Sequence, residues 1–173
     1  MEQNAWITTL VLACVGAIGL LLPVTGVVAW ESFSANGGTF NENVWSTSIE
    51  GGGSTFSQNI YSGDSNDEKG ITLVRIGAPV LLIATIVVGL GALLVGMKRA
   101  PIGSMALLIG GVLAILACTL ITIGYAQANA DSDVSFNLAL GFYLAAIGPL
   151  CAIGSGFMAR MATTKTIVHR TQA

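Results

Sequence analysis

Four long stretches without a single charged side chain constrain this chain more than any other feature. Gln3 to Trp30, Ile76 to Met97, Ala100 to Ala130 and Val134 to Ala159 contain no Asp, Glu, Lys, Arg or His. Each reaches or exceeds the roughly 20 residues that a helix needs to cross the hydrocarbon core of a bilayer. An ordinary soluble domain carries about 25% charged residues. This chain carries 9% and is 53% hydrophobic, with a mean hydropathy of +0.77. A water-soluble globule of 173 residues has too little interior for so much apolar side chain, so lipid is the solvent. Backbone polar groups in lipid must be satisfied within the segment, which selects helices. A barrel would alternate polarity in segments of about ten residues, and these runs are continuously apolar. The expected fold class is an all-α integral membrane protein, one four-helix transmembrane bundle over residues 1–173. The expected spans are Trp6–Val28, Ile76–Met97, Ile102–Tyr125 and Phe136–Met158.

The charges between these runs predict an orientation. Lys98 and Arg99 sit in the tight turn between the second and third spans, and Arg160, Lys165 and Arg170 follow the fourth. Only Glu2 opposes them on that side. The other side carries Glu31, Glu42, Glu50, Asp64, Asp67, Glu68, Asp131 and Asp133 against Lys69 and Arg75. The positive-inside rule therefore puts both termini, the 98–99 turn and the 159–173 tail in the cytoplasm, most simply at the plasma membrane. Residues 1–30 read as a true first helix. Their start, Met1-Glu2-Gln3-Asn4, is acidic, and the apolar run exceeds the 7–15 residues usual in a cleaved leader.

The large outer loop spans 31–70 and is rich in Gly, Ser, Asn and acids, yet it holds Phe33, Phe40, Trp45, Phe56 and Tyr61. Alternation places Trp45, Thr47 and Ile49 on one face of a strand, and Phe56, Gln58 and Ile60 on one face of another. Glu50-Gly51-Gly52-Gly53 between them is turn material. A small β-hairpin is expected here. An isolated hairpin is marginal in water, so it should lean on the helix ends or on a partner.

The sequence carries few residues fit for chemistry. No ionisable acid or base lies within a span, whereas pumps and coupled transporters normally need one. The only histidine, His169, has no Cys or carboxylate neighbours at metal spacing. There is no P-loop, dinucleotide fingerprint or nucleophile elbow. Asp64-Ser65-Asn66-Asp67-Glu68 clusters oxygen ligands, but not at EF-hand spacing, and reads as a solvated turn. Glu42 and Glu50 are the other conceivable acid pair. Cys14, Cys118 and Cys151 all fall inside spans and read as small apolar residues. The outer loop has neither cysteine nor an N-glycosylation sequon. No enzyme activity, cofactor, metal, nucleic acid or small-molecule substrate is expected.

Small residues four apart make smooth faces for close helix contact. Gly148, Ala152 and Gly156 form one in span four, and Ala106, Gly110 and Ala114 another in span three. Such faces serve packing within a bundle. The sharper reading assigns the span-four face to a neighbouring subunit. Pro149, deep in span four, should kink it, while Pro79 sits early enough in span two for its missing N–H to be tolerated.

Four helices, a long first outer loop with strands, a short inner turn and a short second outer loop resemble the claudin-type tetraspan superfamily. Trp30 at the end of span one and Trp45 in the loop are similar in placement to that family's paired loop tryptophans. Asn43-Val44 precede Trp45 where the family has Gly-Leu, and the family's two loop cysteines have no counterpart. The resemblance implies a non-enzymatic protein that self-associates in the membrane and makes contacts through its outer loop. Three functions follow as expectations. The first is a structural or adhesion-type tetraspan that assembles laterally or between membranes, as a homo-oligomer in lipid. Its contact residues would be Trp30, Trp45, Phe56, Ile60 and Tyr61 with the face Gly148, Ala152 and Gly156. The second is an accessory subunit packed among other membrane subunits. The third is an oligomeric channel lined by hydroxyls such as Thr8, Thr9, Thr25, Thr85, Ser104, Thr119, Thr122 and Ser155.

Overall fold

The computed structural model describes residues 3–35, 38–51, 54–61, 70–128 and 137–171. Four helices dominate it: α1 (Gln3–Val24), α2 (Ile71–Gly96), α3 (Ala100–Ala128) and α4 (Leu140–Thr171). All four contain an apolar window long enough to cross a membrane, over Asn4–Val24, Ile71–Gly96, Ala100–Ala128 and Leu140–Ala162. The chain is a multi-pass membrane protein.

The helices form a ring in which α1 packs on α2 and α4, and α3 packs on α2 and α4. Large apolar residues lie on both sides of that ring. Leu20, Leu81, Leu107 and Ile121 are fully buried, while Ile83, Leu90, Ile102, Leu116 and Leu150 face outward. A lipid solvent makes this arrangement stable, because it gives no reason to hide Leu from its surroundings. Helix association then rests on close packing and not on expulsion of water. The α2–α3 contact shows how close. A Cβ added at Gly103 would meet Gly91 O and Val95 N, each at 2.9 Å.

Between α1 and α2 the chain builds strands β1 (Glu31–Ala35), β2 (Gly38–Glu42), β3 (Ser46–Gly51) and β4 (Ser54–Asn59). A two-residue β5 (Asn137–Leu138) precedes α4. They form one antiparallel sheet in the order β4-β3-β2-β1-β5. The register Thr47↔Gln58 and Ile49↔Phe56 puts β3 and β4 opposite each other. It continues through Phe40↔Ile49 and Phe33↔Phe40. One face of the sheet therefore carries Phe40, Ile49 and Phe56 in a row, and the other carries Ser32, Asn41, Ser48 and Ser57 in the neighbouring row. The sheet is larger than the single hairpin expected. β1 and β2 have five residues each with a single large apolar side chain apiece, Phe33 and Phe40, so their alternation is faint in the sequence.

The helix limits differ from the expected spans for local reasons. α1 stops at Val24 and not Val28, because Gly26 turns the chain with φ 72° and donates back to Pro23 O at 3.2 Å. α2 starts at Ile71, five residues before the expected start, which brings Arg75 inside the helix. That charge is accommodated because its guanidinium donates to Ile60 O through Nε (3.0 Å) and Nη2 (2.8 Å). α4 starts at Leu140 and not Phe136, since Asn137 and Leu138 pair with β1 as β5. It also runs on past Met158, so most of the expected tail is helical.

Candidate functional site

The most informative region is the junction where the sheet meets the helix ends. A helix leaves its last carbonyls unpaired, and a proline within a helix frees one more, four residues earlier. Several side chains here donate to such carbonyls. Trp45 Nε1 donates to Val24 O in the last turn of α1. Tyr61 Oη donates to Arg75 O at 3.1 Å, the carbonyl that Pro79 deprives of its helical partner. Pro79 lies deeper in α2 than the expected span start implied, and the loop compensates it. Tyr125 Oη, near the end of α3, donates in the other direction, to Asn43 O at 2.8 Å. Arg75 closes the set through Ile60 O. Trp45 and Tyr61 stack at a centroid distance of 5.9 Å and a tilt of 35°. Asn43 shapes the turn that presents Trp45: its Oδ1 accepts from Trp45 N and Ser46 N, both at 2.9 Å. Burial pushes the Tyr61 hydroxyl above its ordinary titration range, and the nearby Arg75 charge works against that shift.

Trp30 holds the opposite corner. It is 1% exposed, and its ring meets Phe142 edge-on at 6.2 Å. Its backbone donates to Glu42 O at 2.6 Å and accepts from Ala139 N at 3.0 Å. Among the described residues its Nε1 has no hydrogen-bond partner. Trp30 therefore joins β2 to the start of α4 and is not a surface residue. Ile60 is also buried, and its N–H donates to Trp45 O at 2.9 Å.

The expected contact residues thus separate into two groups. Phe56 is 63% exposed and Tyr61 42% exposed, and Trp45 is half-buried beneath Tyr61. All six residues of β4, the edge strand, are exposed. Trp30, Ile60, Gly148, Ala152 and Gly156 instead face inward. A Cβ on Gly148 would meet Gly16 O of α1 at 3.2 Å, and one on Gly156 would meet Ser104 O of α3 at 3.0 Å. Ala152 is fully buried against the same α1 surface. The small-residue stripe of α4 is an internal contact with both neighbours, and none of it is turned outward.

The other candidates are separated or already engaged. Glu42 and Glu50 lie on opposite faces of the sheet, so they form no acid pair. Glu31 sits directly across from Glu42 and is buried. Asp64 to Glu68, with Asp131 and Asp133, lie outside the described residues. Among the described residues no group of three His, Cys, Asp or Glu side chains could hold a metal. Thr8, Thr9, Thr25, Thr85, Ser104, Thr119 and Ser155 each donate to a carbonyl three or four residues earlier in their own chain segment. Hydroxyls engaged in this way are poor pore linings. Cys118 is more than an apolar filler, since its Sγ donates to Ala145 O at 3.4 Å. That is the carbonyl freed by Pro149. Both line an apolar groove of about 420 Å³ between α3 and α4, with Thr122, Phe142 and Leu150.

Sequence reasoning missed Arg75, Asn43 and Tyr125 as the residues that dock the sheet. A signal existed for one of these links. A proline inside a span implies a carbonyl four residues back in need of a donor, and Pro79 points to Arg75. No protein-family model matches this chain, and no curated protein matches it.

Proposed function

We propose that this chain is a non-enzymatic tetraspan that self-assembles, laterally or between membranes, through its loop sheet. The termini and the 97–99 turn are assigned to the cytoplasm by the positive-inside rule, and the sheet to the outside of the plasma membrane. The single observation that carries the reading is the exposed edge of the sheet. β4 is uncharged and exposed along its length, and its one aromatic side chain, Phe56, stands in solvent. Soluble proteins usually protect an edge strand with charge, proline or a bulge. None of these occurs in Ser54–Asn59. An aromatic residue on an open edge is the kind of group that anchors a protein contact. The likeness to claudin-type tetraspans in helix number and loop arrangement supports the same conclusion, a protein whose work is contact and not catalysis. The helix faces contribute to the bundle and not to the assembly.

Native mass spectrometry of the protein extracted from its own membrane in mild detergent tests this directly. The expected result is a homo-oligomer. Recovery only with different chains would move the assignment to an accessory subunit of a larger complex. A monomer without any partner, in detergent and in lipid, would remove both readings.

A further inference from the structure

The end of the bundle opposite the sheet has its own feature, and the function proposed above does not use it. α2 and α3 are joined by only three residues, Met97, Lys98 and Arg99. Lys98 N donates to Val95 O at 3.0 Å and Arg99 N donates to Leu94 O at 2.8 Å. This pair of bonds closes a helix with a left-handed residue, a place where glycine is the usual occupant. Here it is a lysine at φ 62°, the one non-glycine residue with positive φ among those described. A strained backbone with a cation on it calls for a reason located in the side chain.

Lys98 and Arg99 are both exposed. Arg160 of α4 is exposed at the same end. Gly156 lies against Ser104 O, so one turn further along the two antiparallel helices brings Arg160 level with Ala100. Trp6 Nε1 donates to Val95 O at 3.4 Å, which places the start of α1 there too. None of the four helices contains an acidic residue. α4 continues as a helix to Thr171, through Lys165 and Arg170. Lys98 and Arg99 fall between the apolar windows of α2 and α3, which end at Gly96 and resume at Ala100, so they lie at the depth of lipid headgroups.

We propose that Lys98 and Arg99, with Arg160 level with them, bind the headgroups of anionic phospholipids. The complementarity is of charge and of depth. The aliphatic stems lie along the apolar edge while the charged heads reach the phosphate layer. A basic residue near an anionic leaflet gains affinity equivalent to about fivefold. Only the naming of the leaflet as cytoplasmic rests on the orientation proposed above. The lipid contact itself does not.

The test uses the full chain, exchanged from detergent into an equimolar mixture of phosphatidylcholine and phosphatidylglycerol. Native mass spectrometry reads the ratio of the two lipids retained. The wild-type protein is expected to enrich the anionic lipid about fivefold or more, and 1 M NaCl should abolish most of the enrichment, because the Debye length falls to about 3 Å. K98Q/R99Q should return the ratio towards one. Because loss of these charges can also disturb insertion, K98G is the second variant. It relaxes the backbone, so its melting temperature should rise while its enrichment falls. Equal retention of both lipids by the wild type overturns the proposal. So does unchanged enrichment in both variants, or displacement of the lipid by millimolar inorganic phosphate, which would indicate a simple phosphate site. The oligomer masses in the same spectra report on self-assembly separately, so the two readings can fail independently.

Discussion

The bundle and the sheet of this protein are held together by different physics. In the bundle, helices approach until backbones touch, as Gly91 and Gly103 show, and large apolar residues such as Ile83, Leu90, Leu116 and Leu150 face outward because the surroundings are lipid. In the sheet, the strands meet water, one face is almost entirely Ser, Thr and Asn, and no disulfide fixes it. Besides the backbone bonds at Trp30, its attachment rests on donors from Trp45, Tyr61, Tyr125 and Arg75 to single carbonyls. Close packing tolerates little change, and individual hydrogen bonds contribute about 1 kcal/mol each. The small-residue faces of the bundle are thus used up within it, and the sheet held by single hydrogen bonds is the part with an open edge.

That contrast can be broken most severely from the bundle side. Gly103→Val would drive a side chain into Gly91 O and Val95 N. Neither is the end of a flexible side chain, so the helices must separate. A loss of about 3 kcal/mol is expected, read as a fall in the denaturation midpoint in detergent, with α2 and α3 losing hydrogen-exchange protection together. A change at the junction should act locally. Trp45→Phe removes the donor to Val24 O at a cost of about 1–2 kcal/mol. Exchange protection should drop in β3 and β4 and stay unchanged in the spans. Equal loss in the spans would mean that bundle and sheet unfold as one unit.

The exposed edge should show the opposite pattern. Phe56→Ser removes an exposed side chain, so the stability of the monomer should move by less than about 0.5 kcal/mol. Self-association should weaken about tenfold, measured by sedimentation in detergent. The smallest expected effect is on pH. Tyr61 titrates above its ordinary value of about 10 in the folded chain. A group whose folded value is raised adds stability below its unfolded value and loses it as pH climbs through the folded one. The junction should therefore be indifferent to pH in the neutral range and loosen only in strong alkali. Absorbance of tyrosinate in wild type and Tyr61→Phe would follow it.

The helices were legible because the absence of charge over 20 residues has few physical interpretations. Their ends were less so. Arg75 looked like a boundary and is inside α2, since its partner Ile60 O comes from the loop and not from its own helix. β5 was hidden for a similar reason: two residues make a strand only because β1 lies beside them. The stripe Gly148, Ala152 and Gly156 was visible as a packing face, but spacing alone cannot tell a neighbouring helix of the same chain from that of another. Phe56 was legible as an aromatic in a polar loop, whereas its place on an open edge depends on the order of all five strands.

Under the proposed assembly, contacts between copies run through the sheet edge and not through the helix surface. A photo-crosslinking amino acid placed at position 56, and in a separate protein at position 150, tests it in native membranes. Leu150 is 64% exposed on α4, so it samples the lipid-facing surface. Covalent dimers of this chain are expected from position 56 and lipid adducts alone from position 150. Dimers from position 150, with none from position 56, would contradict it.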